Sequence, residues 1–177
     1  MAGRYPRAMA RTDVLDLGRL ALSAGEARRL ELEVGLEPVA LAGQVYAPAG
    51  MVPATLDLTR TVGGWSLRVR LSIDLEGPCM RCLEPASKGI DVDAREVDQP
   101  GGGEDTDSPY LDGIELDLRS WVRDEVVLAL PVHIVCREDC LGLCPVCGEN
   151  LNEAGSDHEH PAEPDPRWAK LSELKLD

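Results

Sequence analysis

Phenylalanine is absent from this 177-residue chain, and aromatic residues make up only 3% of it. The interior must therefore be assembled from Leu, Val, Ile and Ala, a core that a metal clamp would usefully supplement. Basic residues are scarce as well: 18 Lys and Arg stand against 32 Asp and Glu, for a net charge of −14 and a pI near 4.6. A charge of that sign opposes non-specific binding to nucleic acid, whose affinity comes mostly from phosphate neutralisation, and favours basic partners. No run approaches the roughly 18 apolar residues of a membrane helix. The first twelve residues, MAGRYPRAMART, carry arginines but lack the apolar stretch of a signal peptide, and are too short to weigh as a transit peptide. The expectation is a chain that is not exported, which removes the setting in which disulfides persist.

Cysteine, in contrast, is plentiful and clustered. Four of the six cysteines fall between Cys136 and Cys147, spaced C-x3-C-x3-C-x2-C through Cys140 and Cys144. The other two, Cys79 and Cys82, form a separate C-x2-C. The tight turn of a C-x2-C loop brings two sulfurs to about 3.7 Å, the edge of a ZnS4 tetrahedron with bonds of roughly 2.3 Å. Cys144-Pro-Val-Cys147-Gly148 has the form of a zinc knuckle, with proline starting the turn and glycine free to take positive φ after the second ligand. A redox-active C-x2-C is the weaker alternative, because thioredoxin-like pairs sit in a βαβ context that this chain does not show. The spacing favours zinc.

Around these cysteines the pattern predicts an α+β domain, mainly an antiparallel β-sheet or partly open barrel. It would carry one mid-chain helix, a zinc-binding loop region and a short C-terminal helix. Residues 1–14 read as a flexible arm, residues 15–153 as a single domain, and residues 154–177 as a His-containing tail with the final helix. Residues 15–22 look extended, and Ser23 with Glu26 forms a capping-box pattern for a short helix over residues 23–29. Val39, Leu41, Gly43, Val45 and Ala47 alternate as one strand, and Ala54, Leu56 and Leu58 as another. Gly63-Gly64 marks a hairpin before the clearest strand of all. There Trp65, Leu67, Val69, Leu71, Ile73 and Leu75 face one way and Ser66, Arg68, Arg70, Ser72, Asp74 and Glu76 the other. This strand runs into the Cys79/Cys82 turn, and Ile90, Val92 and Ala94 belong to its return. Residues 98–113 read as a flexible acidic loop, Ile114 to Leu116 as a brief strand, and Asp117 as the N-cap of the helix. Leu118, Trp121, Val122, Glu125, Val126 and Ala129 recur at helical spacing until Leu130-Pro131 ends it. Glu125 interrupts the apolar stripe, either as a buried hydrogen-bonding group behind the metal site or at the stripe's edge. His133 reads as structural rather than as a ligand. Asp165-Pro166 starts the final helix, with Trp168, Leu171 and Leu174 on one face.

Four stretches taken in order resemble the YceD family. They are Cys79-Met-Arg-Cys82-Leu-Glu-Pro85, the helical segment Trp121-Val-Arg-Asp-Glu-Val-Val-Leu-Ala-Leu-Pro131, the cysteine cluster with Asn150-Leu-Asn152, and Asp165-Pro-Arg-Trp-Ala-Lys-Leu. The resemblance implies a bacterial cytoplasmic protein, with plastid relatives, needed for accumulation of large-subunit ribosomal RNA. It implies no enzymatic activity, and the chain itself offers no convincing catalytic constellation.

The resemblance also helps to sort ligands. Many relatives carry C-x-C where this chain has His158-Glu-His160, and some lack both that pair and the counterpart of Cys144/Cys147. Two structural zinc sites are therefore expected, one from Cys79, Cys82, Cys136 and Cys140, the other from Cys144, Cys147, His158 and His160. The alternative is one zinc held by Cys79, Cys82, Cys144 and Cys147. The expected function is that of a non-enzymatic, zinc-binding ribosome-biogenesis factor whose acidic surface binds a basic ribosomal protein or a large-subunit assembly intermediate. The alternative is a direct RNA-binding zinc module using Arg68, Arg70 and Arg81. Neither a membrane nor a small-molecule substrate is expected.

Overall fold

The computed structural model describes residues 13–101, 106–155 and 158–160. Its centre is the long hairpin of β6 (Trp65–Pro78) and β7 (Pro85–Asp98), paired in unbroken antiparallel register from Trp65↔Asp98 to Pro78↔Pro85. Strict alternation is the cause. Trp65, Leu67, Val69, Leu71, Ile73 and Leu75 are all buried on one face, together with Ile90, Val92 and Ala94 of the return strand.

A strand has two edges, and β7 occupies the whole of one. The other edge of β6 is divided between β5 (Val52–Arg60), which runs beside residues 65–71, and β4 (Gln44–Pro48), which meets Leu75 and Glu76. β2 (Ala27–Val34) pairs outside β5, and β3 (Val39–Leu41) outside β4. A second, three-stranded sheet has the order β1 (Val14–Asp16), β9 (Glu115–Asp117), β8 (Leu111–Asp112). Both sheets are open; neither closes into a barrel. No helix of the described residues is long and apolar enough to cross a membrane.

The one long helix, α1 (Leu118–Ala129), begins where expected: the Asp117 carboxylate accepts from the Ser120 amide at 3.0 Å and from its hydroxyl at 2.7 Å. Its apolar stripe, Leu118, Trp121, Val122 and Val126, is buried in the core shared with the large sheet. Glu125 is half-buried at the stripe's edge and accepts from Trp121 Nε1 at 3.2 Å, away from the cysteines.

Several local expectations are corrected. The Ser23–Glu26 pattern forms its hydrogen bonds, Ser23 N to the Glu26 carboxylate and Glu26 N to the Ser23 carbonyl, but they close a turn that opens into β2 rather than a helix. A capping box satisfies backbone donors in a lone turn as well, and pairing along β5 then decides the conformation. Residues 39–47 are not one strand but a hairpin. Ala42 and Gly43 both take positive φ (50° and 81°), the signature of a two-residue primed turn. The turn inverts the expected facing: Val45 is 58% exposed and Tyr46 fully buried. Residues 15–22 are extended only to Asp16 and then form a 3-10 turn, Leu17–Leu20. Within the acidic stretch the buried Asp98 carboxylate accepts from the Ser108 amide, and β8 follows. Ile114 lies in the turn before β9. The expected C-terminal helix, and the arm up to residue 12, lie outside the described residues.

Tyr46 ties this frame to the cysteines. Its hydroxyl donates to the Pro78 carbonyl at 2.7 Å, one residue before Cys79. The ring lies so close to Gly77 that an added Cβ there would sit 2.4 Å from Tyr46 Cδ1 and 2.6 Å from the Val45 carbonyl oxygen. Backbone cannot yield as a flexible side chain does, so Gly77→Ala is expected to cost about 1–3 kcal/mol as overpacking. Its thermal midpoint should fall accordingly; an unchanged midpoint would mean that β4 is not held against the hairpin tip.

Candidate metal centres

The tip of the β6–β7 hairpin is a six-residue turn. The Cys79 amide donates to the Glu84 carbonyl at 2.7 Å, and the Leu83 amide to the Cys79 carbonyl at 2.9 Å. Leu83 holds φ at 65°, and Gly148 holds φ at 78° at the same place after the second C-x2-C. The two loops thus share a conformation, although only one carries the glycine that suits it. From Pro131 the chain leaves α1 and returns to the tip, where Met80 N donates to the Ile134 carbonyl at 2.9 Å and Ile134 itself is buried. That return delivers Cys136 and Cys140 to the knuckle.

Four sulfurs converge there: Cys79, Cys82, Cys136 and Cys140 all lie within 4.8 Å of one another. Cys79 Sγ stands 3.8 Å from Cys140 Sγ, and Cys82 Sγ 3.6 Å from Cys136 Sγ. These separations match the edge of about 3.7 Å of a tetrahedron of four sulfurs around a cation such as zinc. They are far beyond an S–S bond of about 2.05 Å, and all six cysteines are free thiols. Cys79, Cys82 and Cys140 are buried, and Cys136 is exposed.

Cys144, Cys147, His158 and His160 form a second group of the same compactness. His158 Nε2 lies 3.5 Å from Cys147 Sγ and 3.0 Å from His160 Nε2. The other nitrogen of the ring, Nδ1, meets the Glu149 carboxylate at 3.1 Å. A carboxylate behind an imidazole fixes its tautomer and leaves the far nitrogen free to coordinate. Both donor sets, four sulfurs in one case and two sulfurs with two ring nitrogens in the other, are those that suit zinc. The pairs Cys79/Cys82 and Cys144/Cys147 fall in different groups. His133 is exposed and belongs to neither group.

The thiols are electrostatically uneven. Burial pushes Cys79 up, but the amides of Cys82, Arg81 and Cys136 outweigh it and bring the thiol down to about 6. Burial drives its neighbour Cys82 up to about 12. The Cys147 amide, the His158 ring and the Val146 amide bring Cys144 down to about 6. Packed sulfurs cannot all be anionic unaided, because each charge disfavours the next; a divalent cation removes that conflict and expels the remaining protons.

Sequence reasoning passed over two participants. Glu149 next to a knuckle glycine carries no signal until His158 is seen against it. Asn152 was visible within Asn150-Leu-Asn152, yet without a role; its amide reaches Cys140 Sγ at 3.5 Å.

The arginines considered for RNA contact have partners within the chain. Arg68 pairs with Asp93 and Arg70 with Asp57, which also holds Arg29, while Arg81 Nη1 donates to the Cys140 carbonyl at 2.9 Å. On the polar face of the sheet Arg29, Arg68 and Arg70 are matched by carboxylates from neighbouring strands.

A family model described as "Large ribosomal RNA subunit accumulation protein YceD" matches residues 67–175, more than half of the chain and all eight grouped residues. The chain belongs to the YceD family. Its YceD portion begins within β6 and takes in the hairpin tip, α1 and both groups. An uncharacterized protein of Mycobacterium tuberculosis is 39% identical over 105 residues, which cover 55% of this chain and 49% of that protein. An uncharacterized protein of Mycobacterium leprae is 33% identical over 104 residues, covering 54% of this chain and 46% of its own length. A maize protein named "Large ribosomal RNA subunit accumulation protein YCED homolog 1, chloroplastic" is 29% identical over 175 residues, covering 79% of this chain and 59% of its own. The chain spans about half the length of the curated relatives it matches. No solved structure matches it.

Proposed function

We propose that this YceD-family chain is a non-enzymatic, zinc-binding ribosome-biogenesis factor of the bacterial cytoplasm. It supports accumulation of large-subunit ribosomal RNA by binding a basic ribosomal protein or an assembly intermediate. Cys79, Cys82, Cys136 and Cys140 would hold one zinc, and Cys144, Cys147, His158 and His160 a second. The observation that supports the reading is the match to the YceD family model over residues 67–175, a range that includes all eight of these residues. Four protein donors around each ion leave no position open for substrate, which favours a structural metal.

A protein partner is favoured over direct contact with RNA. The net charge is −14, and the arginines that would have faced phosphate are paired with aspartates or with the Cys140 carbonyl. Bound zinc would act as a brace, tying the hairpin tip to the segment after α1 and the tail to its knuckle.

Elemental analysis of protein purified without added metal is expected to give two zincs per chain. In cells lacking the gene, the ratio of large- to small-subunit ribosomal RNA should fall, and the intact chain should restore it. Zinc-free protein with an intact fold would remove the metal from this reading, and an unchanged RNA ratio would remove the function. Steep loss of RNA binding with rising salt would instead favour direct phosphate contact.

A further inference from the structure

We infer that Asn152 is a positioning residue that couples the two metal centres, holding a ligand of the first from a helix anchored by the second. The inference rests on the metal reading above and extends it. Asn152 lies on α2 (Leu151–Ala154), the single helical turn that follows the second knuckle. Its Oδ1 accepts from the Leu141 amide at 2.8 Å and from Arg137 Nη2 at 2.7 Å. Both partners are obligatory donors, so the orientation of the carboxamide is settled by chemistry. Nδ2 must then face the other way, toward Cys140 Sγ at 3.5 Å and Asn150 Oδ1 at 2.7 Å. Leu141 follows one ligand of the first centre and Arg137 follows another. One side chain therefore holds the Cys136–Cys140 loop at both ends and donates an N–H to a coordinating sulfur.

What holds Asn152 belongs to the second centre. The Cys144 amide donates to the Glu149 carbonyl at 2.8 Å, and the Leu151 amide to the Gly142 carbonyl at 2.9 Å. Leu143 and Asn150 form a β-bridge between them. Glu149, whose carboxylate meets His158, precedes the Asn150 cap of α2 by one residue. His158 already meets Glu149 at 3.1 Å, so a cation held by the second group would fix the turn that presents Asn152. A cation at the second centre thereby strengthens binding at the first, and linkage makes the effect reciprocal.

Cobalt(II) tests this on the full chain, since a site of four sulfurs and one of two sulfurs with two nitrogens absorb differently. Metal-free protein would be titrated in the presence of a competing chelator. Asn152→Asp keeps the acceptor for Leu141 and Arg137 but loses the N–H facing sulfur. Its first centre is expected to bind cobalt about 10–100-fold more weakly, the usual scale for groups that orient a ligand. The sulfur-to-cobalt band of that centre should move to longer wavelength, because the sulfur loses a stabilising proton donor; a purely structural role would leave the band in place. His160→Ala, at an exposed residue away from α2, should weaken the first centre too, and do so less in the Asn152→Asp background. An unchanged affinity and band at the first centre in Asn152→Asp, or an unchanged affinity there in His160→Ala, would overturn the coupling and leave the metal reading standing. No uptake at either centre would overturn both.

Discussion

Replacing Cys79 with serine is expected to remove one metal ion per chain and to lower the thermal midpoint by roughly 5–15 °C. Cys79 is fully buried, its sulfur 3.8 Å from Cys140 Sγ, where the β6–β7 tip meets the segment after α1. A bound cation there would act as a crosslink between parts of the chain 54 to 61 residues apart. Loss of a native crosslink typically costs about 2–5 kcal/mol, and each kcal/mol moves the midpoint of a chain of this size by about 2–4 °C. Serine leaves a poorer ligand and three crowded thiols, so the remaining group binds weakly and its protons return. Calorimetry together with elemental analysis reads both effects. Unchanged zinc stoichiometry in Cys79→Ser would refute the assignment of this residue as a ligand.

Trp121→Ala should destabilise the chain to a similar degree with the opposite metal result. Trp121 is completely buried on α1, stacks on Tyr110 with ring centroids 6.2 Å apart, and donates its indole N–H to Glu125. In a chain with no phenylalanine, it is one of the few large side chains available to fill the space between helix and sheet. Truncation leaves a cavity that aliphatic neighbours cannot close, at a cost of about 3–5 kcal/mol. It also strips Glu125 of its donor beside Glu96, whose carboxyl burial already pushes up. The metal groups do not include any residue of α1, so the folded variant should retain its full zinc content. Equal loss of metal in both variants would show that the core and the centres melt as one unit and that neither can be weakened alone.

Much of the fold was legible because its strongest signals are local and periodic. Six apolar residues at strict alternation in β6, the Asp117 cap and the Leu130-Pro131 stop of α1 each specify a conformation without help from distant residues. Weaker signals failed where tertiary pairing competes with them. The Ser23–Glu26 box forms, yet β5 captures the residues that follow it. Residues 39–47 alternate well enough to read as one strand, but a positive-φ pair at Ala42-Gly43 folds them into two. Leu83 is a residue whose side chain disfavours φ near 65°, so nothing in its identity announces the turn that places Cys82.

The sequence by itself determined the chemistry on offer: which residue types that could bind a cation are present, in which short loops, within an acidic chain of the YceD pattern. Spacing within a loop is a local property, set by the reach of a few peptide units. Only the tertiary structure decided how the loops are grouped, because grouping depends on where α1 and the hairpin carry residues far apart in the chain. It brought Cys136 and Cys140 to the Cys79/Cys82 turn, left Cys144 and Cys147 to face His158 and His160, and set Asn152 against a sulfur of the other group. It also cancelled the arginines of β6 against aspartates of β5 and β7, since cross-strand neighbours are fixed by register and not by order along the chain.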